Sequence, residues 1–572
     1  MELKIGKSRG RDYLSIVSRF WDRESKTART RTIQSLGYLD DLKKLYNDPL
    51  AHFRQVVAEM NDKAAKEKIA AHIVLDASAR VVEADVRKNL GYLALSQIYH
   101  ELGLQTFFSN HSRKFNSRFS TNNIVKLLVF SRILSPGSKK ATYLARHRYF
   151  ENMDFSLEDV YHCLSEMSTM AESLQLHLHK KISQQYRRSG ELVYYDVTNY
   201  YFEIDKADEM RKKGYSKEHR PNPIVQMGLF IDPAGIPISY RLFPGNTNDC
   251  ETLIPILDDM RKSYGISRAI VVADKGINTA GNIASSSRDD CGYVFSQSVR
   301  GASRELKDYV LSQSGYREKG EHFKIKSRIY NRYISVTDSK GSKTKVSVEE
   351  KQVAVYSSKY DRKAKRDRES IIAKACDMVA NPAKYNRATS YGAAKYVKDL
   401  AFDKTTGEII HAESKAVLDW AKISEEEKLD GYYVIITSEL NKSDDEILEI
   451  YHGLWKIEKI FRVTKTDLET RPVYLSRQDR IEAHFLMCFL ALTLAQILAI
   501  RLDNEYSISQ IANSLNNASC SHVAENWYLC DHSDEVTSAL RERMGIDLER
   551  KFISLGEIRK LAARVKRSSV PQ

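Results

Sequence analysis

Two strongly apolar runs in this sequence each carry a single acid at or near the end. Residues 192–197 read LVYYDV and contain Asp196; residues 269–274 read AIVVAD and end on Asp274. A short, uninterrupted run of apolar, aromatic and β-branched residues reads as a strand buried on both faces, which requires a sheet covered by helices. The neighbouring sequence fits the same sheet. Residues 224–231 and 236–243 form two further strands, joined by the turn Asp232-Pro233-Ala234-Gly235 and ended by Pro244-Gly245-Asn246. Residues 249–264 follow helical periodicity, residues 293–299 form a fifth strand, and one more strand returns at 432–437. Three strands in a meander, then strand–helix alternation, predict an α/β fold with a mixed sheet and flanking helices.

The chain on either side has a different texture. Near the N-terminus the alternation Tyr13-Leu14-Ser15-Ile16-Val17 and the returning run 30–36, closed by Gly37, predict a β-hairpin, followed by a helical stretch over 40–70. Residues 85–185 are helical in pattern, with Leu95, Ile98 and Leu102 and then Ile124, Leu127 and Leu128 at helical spacing. Ser135-Pro136-Gly137 breaks that run, and Lys139, Lys140, Arg146 and Arg148 follow beside Tyr143 and Tyr149. A helix, a break and a basic helix fit a helix-turn-helix reader of DNA; they equally fit a helical bundle with a solvated basic face. Six segments result: 1–75 a β-hairpin and helix, 76–185 helical, 186–300 the first part of the sheet with both aspartates, 301–430 a basic β-rich insertion, 431–505 the second part of the core, and 506–572 a helical tail.

Charge points to the partner. The net charge is +14 and the isoelectric point about 9.1, which favours a polyanion. Residues 300–368 hold nineteen Lys and Arg against nine Asp and Glu, interleaved with Tyr309, Tyr316, Phe323, Tyr330, Tyr333, Tyr356 and Tyr360. Cations among stacking aromatics make a DNA-tracking surface; a twisted β-domain with solvated edge lysines is the alternative. The tail ends in Arg559, Lys560, Arg564, Lys566 and Arg567 and could touch DNA or dimerise. The longest apolar run, 485–500, falls short of the roughly 20 residues that span a bilayer and is interrupted by Thr493 and Gln496, so it reads as a core helix and not as a membrane segment. Seven scattered cysteines and no secretory h-region indicate a reducing, cytoplasmic compartment. Cys520/His522 and Cys530/His532 repeat a C-x-H unit of zinc-ligand chemistry, but the spacing matches no common zinc pattern and the flanking Trp527 and Leu529 read as core.

If the strands ending in Asp196 and Asp274 are parallel neighbours, both carboxylates emerge at one sheet edge. Clustered carboxylates repel unless a cation neutralises them, and hard oxygen donors with open positions suit Mg²⁺ or Mn²⁺. Strand-end aspartates also simply cap turns. A third acid lies in a helix predicted over 443–467, which opens with the capping box Ser443-Asp444-Asp445-Glu446 and has Ile447, Ile450, Leu454, Ile457 and Phe461 as its core face. Glu458 falls inside that apolar stretch, beside Trp455 and Phe461, where a glutamate needs a partner or a metal; an i,i+4 ion pair with Arg462 is the plainer alternative. Tyr451, Glu458 and Lys465 are seven residues apart and share one stripe: a phosphate contact, a metal ligand and a cationic clamp.

These residues resemble insertion-sequence transposases of the DDE class, of the type with the signature Y-x2-R-x3-E-x6-K around the glutamate. Tyr451, Glu458 and Lys465 match it; Leu454 stands at the arginine position, so that phosphate contact is missing or supplied by Lys456 or Arg462. The segment YYDVTNYYFE around Asp196 resembles the first-aspartate strand, VVADKGI around Asp274 the second-aspartate motif, and Phe243-Pro244-Gly245-Asn246-Thr247 with Thr252 the segment after the third strand. Leu468 to Tyr474 and Ile481 to His484 resemble the stretch after the glutamate helix, and the charged run from Lys359 to Arg366 a segment of the insertion.

The resemblance implies an RNase H-like core, a five-stranded mixed sheet with flanking helices, interrupted by a β-rich insertion and preceded by a β-hairpin and helical DNA-binding domains. It implies two Mg²⁺ (or Mn²⁺) ions per active site, with Asp196 bridging them and Asp274 and Glu458 each completing one shell. Phosphates would be held by Tyr451, Lys465, Arg462 and Lys275, and the wider DNA surface would include Lys139, Lys140, Arg362, Lys363, Lys365 and Arg366. The implied partners are double-stranded DNA, both terminal inverted repeats and target, and a second copy of the chain on that DNA, in the cytoplasm with the nucleoid. An RNase H-like nuclease without strand transfer and a catalytically inactive DNA-binding regulator are the rival readings. Trp455 and Trp420 read as core side chains, with stacking on a flipped base as the alternative.

Overall fold

A computed structural model describes residues 1–8, 10–22, 27–66, 78, 80, 86–186, 188, 190–215, 221–266, 268–288, 291–337, 341–380, 392–398 and 417–567. The chain divides into two compact units, Met1–Ala79 and Arg80–Gln572. In the first, β1 (Glu2–Ser8), β2 (Arg11–Asp22) and β3 (Thr27–Tyr38) form an antiparallel sheet in that order, followed by α1 (Leu39–Leu42) and α2 (Pro49–Lys66). The expected hairpin is β2–β3, and β1 extends it, pairing from Glu2↔Val17 to Ser8↔Arg11. Leu14, Leu42 and Phe53 make its small core. The helix expected over 40–70 is two helices, and residues 67–70 of it lie outside the described residues.

The second unit begins with β4 (Lys88–Asn89) and a helical region: α3 (Tyr92–Glu101), α4 (Leu104–Phe115), α5 (Thr121–Leu134), α6 (Lys139–Leu144), α7 (Leu157–Ser168) and α8 (Ala171–Tyr186). Next come β5 (Leu192–Tyr201), β6 (Ile224–Ile231), β7 (Pro237–Pro244), α9 (Leu253–Tyr264), β8 (Ile270–Ala273), α10 (Ala280–Arg288) and β9 (Gly292–Gln297). The region expected as an insertion supplies α11 (Arg304–Leu311), β10 (Arg317–Glu318), β11 (Phe323–Thr337), β12 (Lys343–Ser357), α12 (Ser358–Ala380), β13 (Val397–Lys398), β14 (Val417–Leu418) and α13 (Trp420–Glu427); residues 381–391 and 399–416 of it lie outside the described residues. Then follow β15 (Tyr432–Thr437), α14 (Asp444–His452), α15 (Trp455–Thr466), α16 (Gln478–Arg501), α17 (Ile508–Asn517), β16 (Ser519–Ala524), β17 (Trp527–Cys530), α18 (Glu535–Met544), β18 (Phe552–Ser554) and α19 (Leu555–Arg567).

The main sheet has nine strands in the order β10-β11-β12-β15-β9-β8-β5-β6-β7. β5, β8 and β9 are parallel; β5-β6-β7 is the antiparallel meander, turned at Asp232, whose Oδ1 accepts from the Ile236 N–H at 2.8 Å. The fold is therefore the expected helix-flanked mixed sheet, but larger than five strands. The insertion's hairpin is part of it, because β12 pairs with β15 from Lys351↔Thr437 to Tyr356↔Tyr432 and so covers an edge that would otherwise be bare. On one face Val193, Tyr195, Val271 and Phe295 pack against α9, α10 and α11. On the other, Tyr194, Tyr200, Val272 and Val294 pack with Ile447 of α14, Ile457 and Ile460 of α15 and Phe485 and Phe489 of α16.

Among the described residues α16 is the one helix long and apolar enough to cross a membrane, yet 94% of its apolar window is buried inside the protein. It packs against α3, α5 and α7, so it is the shared core of the helical region and the sheet. The tail expected as helical also contains strands: β16, β17 and β18 form an antiparallel sheet with β4. The helix expected over 443–467 is two helices, α14 and α15, separated at Gly453 and Leu454.

Candidate active site

The register of the central strands settles where the two aspartates go. β5 and β8 pair in parallel as Leu192↔Ile270, Val193↔Val271 and Tyr194↔Val272; continuing two residues sets Asp196 beside Asp274, on strands about 4.8 Å apart. Both lie on the face that carries Tyr194 and Val272, since side chains alternate with period two. Asp196 is half-buried and accepts from the Val197 N–H at 2.7 Å; Asp274, just past the end of β8, is exposed and accepts from the Ser296 hydroxyl at 2.9 Å.

α15 runs along the same face of β5. At one end, Gly453 packs against Tyr194 so closely that a Cβ there would lie 1.9 Å from the tyrosine oxygen; at the other, the hydroxyls of Thr464 and Tyr200 are 3.0 Å apart. Six residues of strand span about 20 Å and eleven of helix about 16 Å, so helix and strand run side by side over this interval. Asp196 lies between Tyr194 and Tyr200 on the strand, and Glu458 lies between Gly453 and Thr464 on the helix. Glu458 is exposed, as is Trp455, which corrects the expectation of a glutamate sunk in apolar surroundings: the buried residues of α15 are Ile457, Ile460, Phe461, Val463 and Thr464, and Glu458 faces away from them. Among the described residues its carboxylate has no hydrogen bond or ion pair, so the Arg462 pairing is not formed.

Tyr451 lies within electrostatic reach of two of the acids. It is half-buried at the end of α14, and its hydroxyl is pushed up to about 12 by burial and by the negative charges of Asp274 and Glu458, against an interaction with the Ser296 hydroxyl that lowers it. The same hydroxyl thus senses both acids. Among the described residues no group of three acidic, His or Cys side chains is gathered tightly enough to hold a metal ion. Asp196 and Asp274 lie on the face of the sheet that α15, the helix of Glu458, covers, and the hard oxygen donors of the three carboxylates suit Mg²⁺ or Mn²⁺.

The other candidate residues separate into exposed and buried. Lys275 and Arg462 are exposed, and Lys465 is half-buried with its ammonium 5.8 Å from the Tyr200 ring. Lys456, considered as a stand-in for the missing arginine, donates to the Pro233 carbonyl at 2.6 Å. Leu454, at the arginine position, packs on the core. Arg362, Lys363, Lys365 and Arg366 are all exposed on the first turns of α12, a helix where strand or loop was expected; Lys365 also pairs with Asp361 at 3.1 Å. Lys140 is exposed.

Lys139 is not a surface cation. It is 7% exposed, its Nζ lies 3.2 Å from His484 Nδ1, and burial together with the nearby Arg132 lowers it to about 7. The helix before it, α5, is buried along almost its whole length, and α6 has only six residues. Trp455 and Trp420 are 55% and 62% exposed, so neither is a core side chain. Cys520 and Cys530 face each other across β16–β17, while His522 bonds the Glu525 carbonyl and His532 the Asp534 carboxylate, so the four residues do not converge on one point.

Sequence reasoning passed over Ser296, Asn278 and Gly453. A serine inside an apolar strand and a glycine inside a helical pattern carry no outward signal; only the partners across the sheet give them one.

Two protein-family models match the chain. Residues 201–494 match the transposase DDE domain, a span that holds Asp274 and Glu458 and begins five residues after Asp196. Residues 3–72 match the N-terminal domain of the IS1634 family transposases, which covers the first compact unit. No curated protein matches the chain. The chain belongs to the DDE transposases of insertion sequences.

Proposed function

We propose that this protein binds the terminal inverted repeats of its insertion sequence and cleaves and rejoins DNA at a site formed by Asp196, Asp274 and Glu458. The observation that carries this reading is the parallel β5–β8 register, which sets Asp196 beside Asp274 beneath the helix that bears Glu458. The strand order β7-β6-β5-β8-β9, with β6 and β7 antiparallel and β5, β8 and β9 parallel, supports an RNase H-like core.

Two Mg²⁺ or Mn²⁺ ions held by these carboxylates would supply activation of the attacking oxygen and neutralisation of the leaving one. The protein's own task is then position and charge, since phosphoryl transfer leaves little covalent work for side chains. Asp196, Asp274 and Glu458 would be the residues that hold the ions. Arg462 and Lys465, on α15 beyond Glu458, and Lys275, in the turn after Asp274, set the DNA phosphates beside the acids. A homodimer on DNA brings two ends together for cut-and-paste transfer.

The test is divalent-metal-dependent cleavage of the DNA ends flanking the gene by wild type and Glu458→Gln, with DNA binding followed by gel shift. Glutamine keeps the shape and removes the charge. Cleavage by wild type alone, with both proteins binding, supports the assignment; cleavage by both removes Glu458 from it. A pre-cut end with a free 3′-hydroxyl then separates a transposase, which joins it to target, from a nuclease, which does not.

A further inference from the structure

Asp274 is held by contacts that the three-carboxylate reading leaves unused. Ser296, on β9, is 7% exposed and donates to Asp274 Oδ1 at 2.9 Å. β8 and β9 pair as Ala273↔Phe295, so the next residues, Asp274 and Ser296, are lateral neighbours on the face that bears the acids. The turn after Asp274 is fastened to the same residue. Ile277 N–H returns to the Asp274 carbonyl at 3.0 Å, and Asn278 Nδ2 donates to the Ser296 carbonyl at 2.9 Å and to Gln297 Oε1 at 2.8 Å. A serine hydroxyl has one proton to donate, and an ionised carboxylate can only accept. The serine proton is given to Asp274, so the hydrogen bond ties β9 to the carboxylate at the end of β8.

We propose that Ser296 is a positioning residue for Asp274: the serine occupies Oδ1, fixes the carboxylate's orientation and leaves Oδ2 to bind the metal. This rests on the reading of Asp274 as a metal ligand. Partners that orient a ligating carboxylate typically matter by about 10- to 100-fold in metal affinity.

The experiment is Mn²⁺ binding to the full-length chain in the absence of DNA, read by the paramagnetic resonance of free Mn²⁺, with thermal unfolding as a check of folding. The variants are Ser296→Ala, Ser296→Thr and Asp274→Ala. Ser296→Ala is expected to weaken Mn²⁺ binding by about 10- to 100-fold, and Ser296→Thr, which keeps the hydroxyl, to restore it. DNA cleavage by Ser296→Ala should recover as Mn²⁺ is raised. If Asp274→Ala abolishes binding while Ser296→Ala binds as wild type, the positioning role is overturned and the metal site stands. If Asp274→Ala itself binds as wild type, the metal-site reading fails first.

Discussion

Replacing Gly453 with alanine tests whether the α14–α15 junction is held against β5 by contact. The backbone there is ordinary right-handed helix, φ −58° and ψ −15°, so the glycine is not needed for conformation. Alanine in such a place normally gains about 0.5–1 kcal/mol through lower backbone entropy in the unfolded chain. Here the new Cβ would meet Tyr194 at 1.9 Å from the hydroxyl oxygen, 2.3 Å from Cζ and 2.7 Å from Cε1. Ordinary contact begins at 3.4 Å, so the ring or the junction must yield by about 1.5 Å. Overpacking of a buried contact costs about 1–3 kcal/mol, which outweighs the entropic gain. If the junction lifts, Glu458, five residues further along, lifts with it, and a misplacement of about 1 Å can cost about 100-fold in rate.

Urea unfolding and metal-dependent end cleavage are the two readouts. Gly453→Ala should lose stability and cut poorly while still binding DNA. Tyr194→Leu removes all three opposing atoms, so the double variant should lose less than the sum of the singles, by about 1 kcal/mol or more. A Gly453→Ala protein as stable and active as wild type would refute the argument.

Two further predictions concern charge. Neutralising Arg362, Lys363, Lys365 and Arg366, exposed together on α12, should weaken DNA binding and flatten its salt dependence by about 3–4 in log–log slope if each meets a phosphate, at about 0.9 per contact; an unchanged slope would leave that face merely solvated. Lys139 is buried beside His484 and Arg132 and titrates near 7, below its ordinary 10.5. Between those values the unfolded chain binds the proton that the folded chain has lost, so this group makes stability rise with pH by up to about 1.4 kcal/mol per unit. Lys139→Met should raise stability at pH 7 and remove that part of the rise up to pH 9 in urea titrations, and an equal pH slope in both proteins would contradict the buried-cation account.

The strands that carry the aspartates were legible because central strands of a covered sheet are apolar throughout and interrupted only where function or a turn requires it. β11 and β12 were less so. Their faces alternate in exposure, and their membership of the main sheet depends on the distant β15, a pairing no local pattern encodes. α12 has only Arg368, Ala375 and Met378 buried, so it lacks the apolar stripe that marks a helix. β16, β17 and β18 are too short for period-two alternation to stand out. Glu458 was placed in the right helix but on the wrong side of it: Trp455 and Phe461 flank it in sequence, and the helix turns the first outward and the second inward. Lys139 shows the converse, a residue whose chemistry reads as surface but which the fold encloses between α5, α6 and α16.

The fifteen residues of β11 pair along their whole length with β12, making a ribbon about 50 Å long. Only its inner end is stitched to β15. That same end grips the start of α14: Lys351 lies 2.9 Å from Asp444, Arg317 2.5 Å from it, and Lys319 pairs with Asp445. The ribbon thus braces the root of the helix that carries Tyr451 and leads to Glu458, while further out Ile334, Val336, Val346 and Val348 pack into the core that includes α10. Shortening or exchanging the hairpin therefore changes more than reach, because the segment that looks most like an appendage is built into the same body as the helix that bears Glu458.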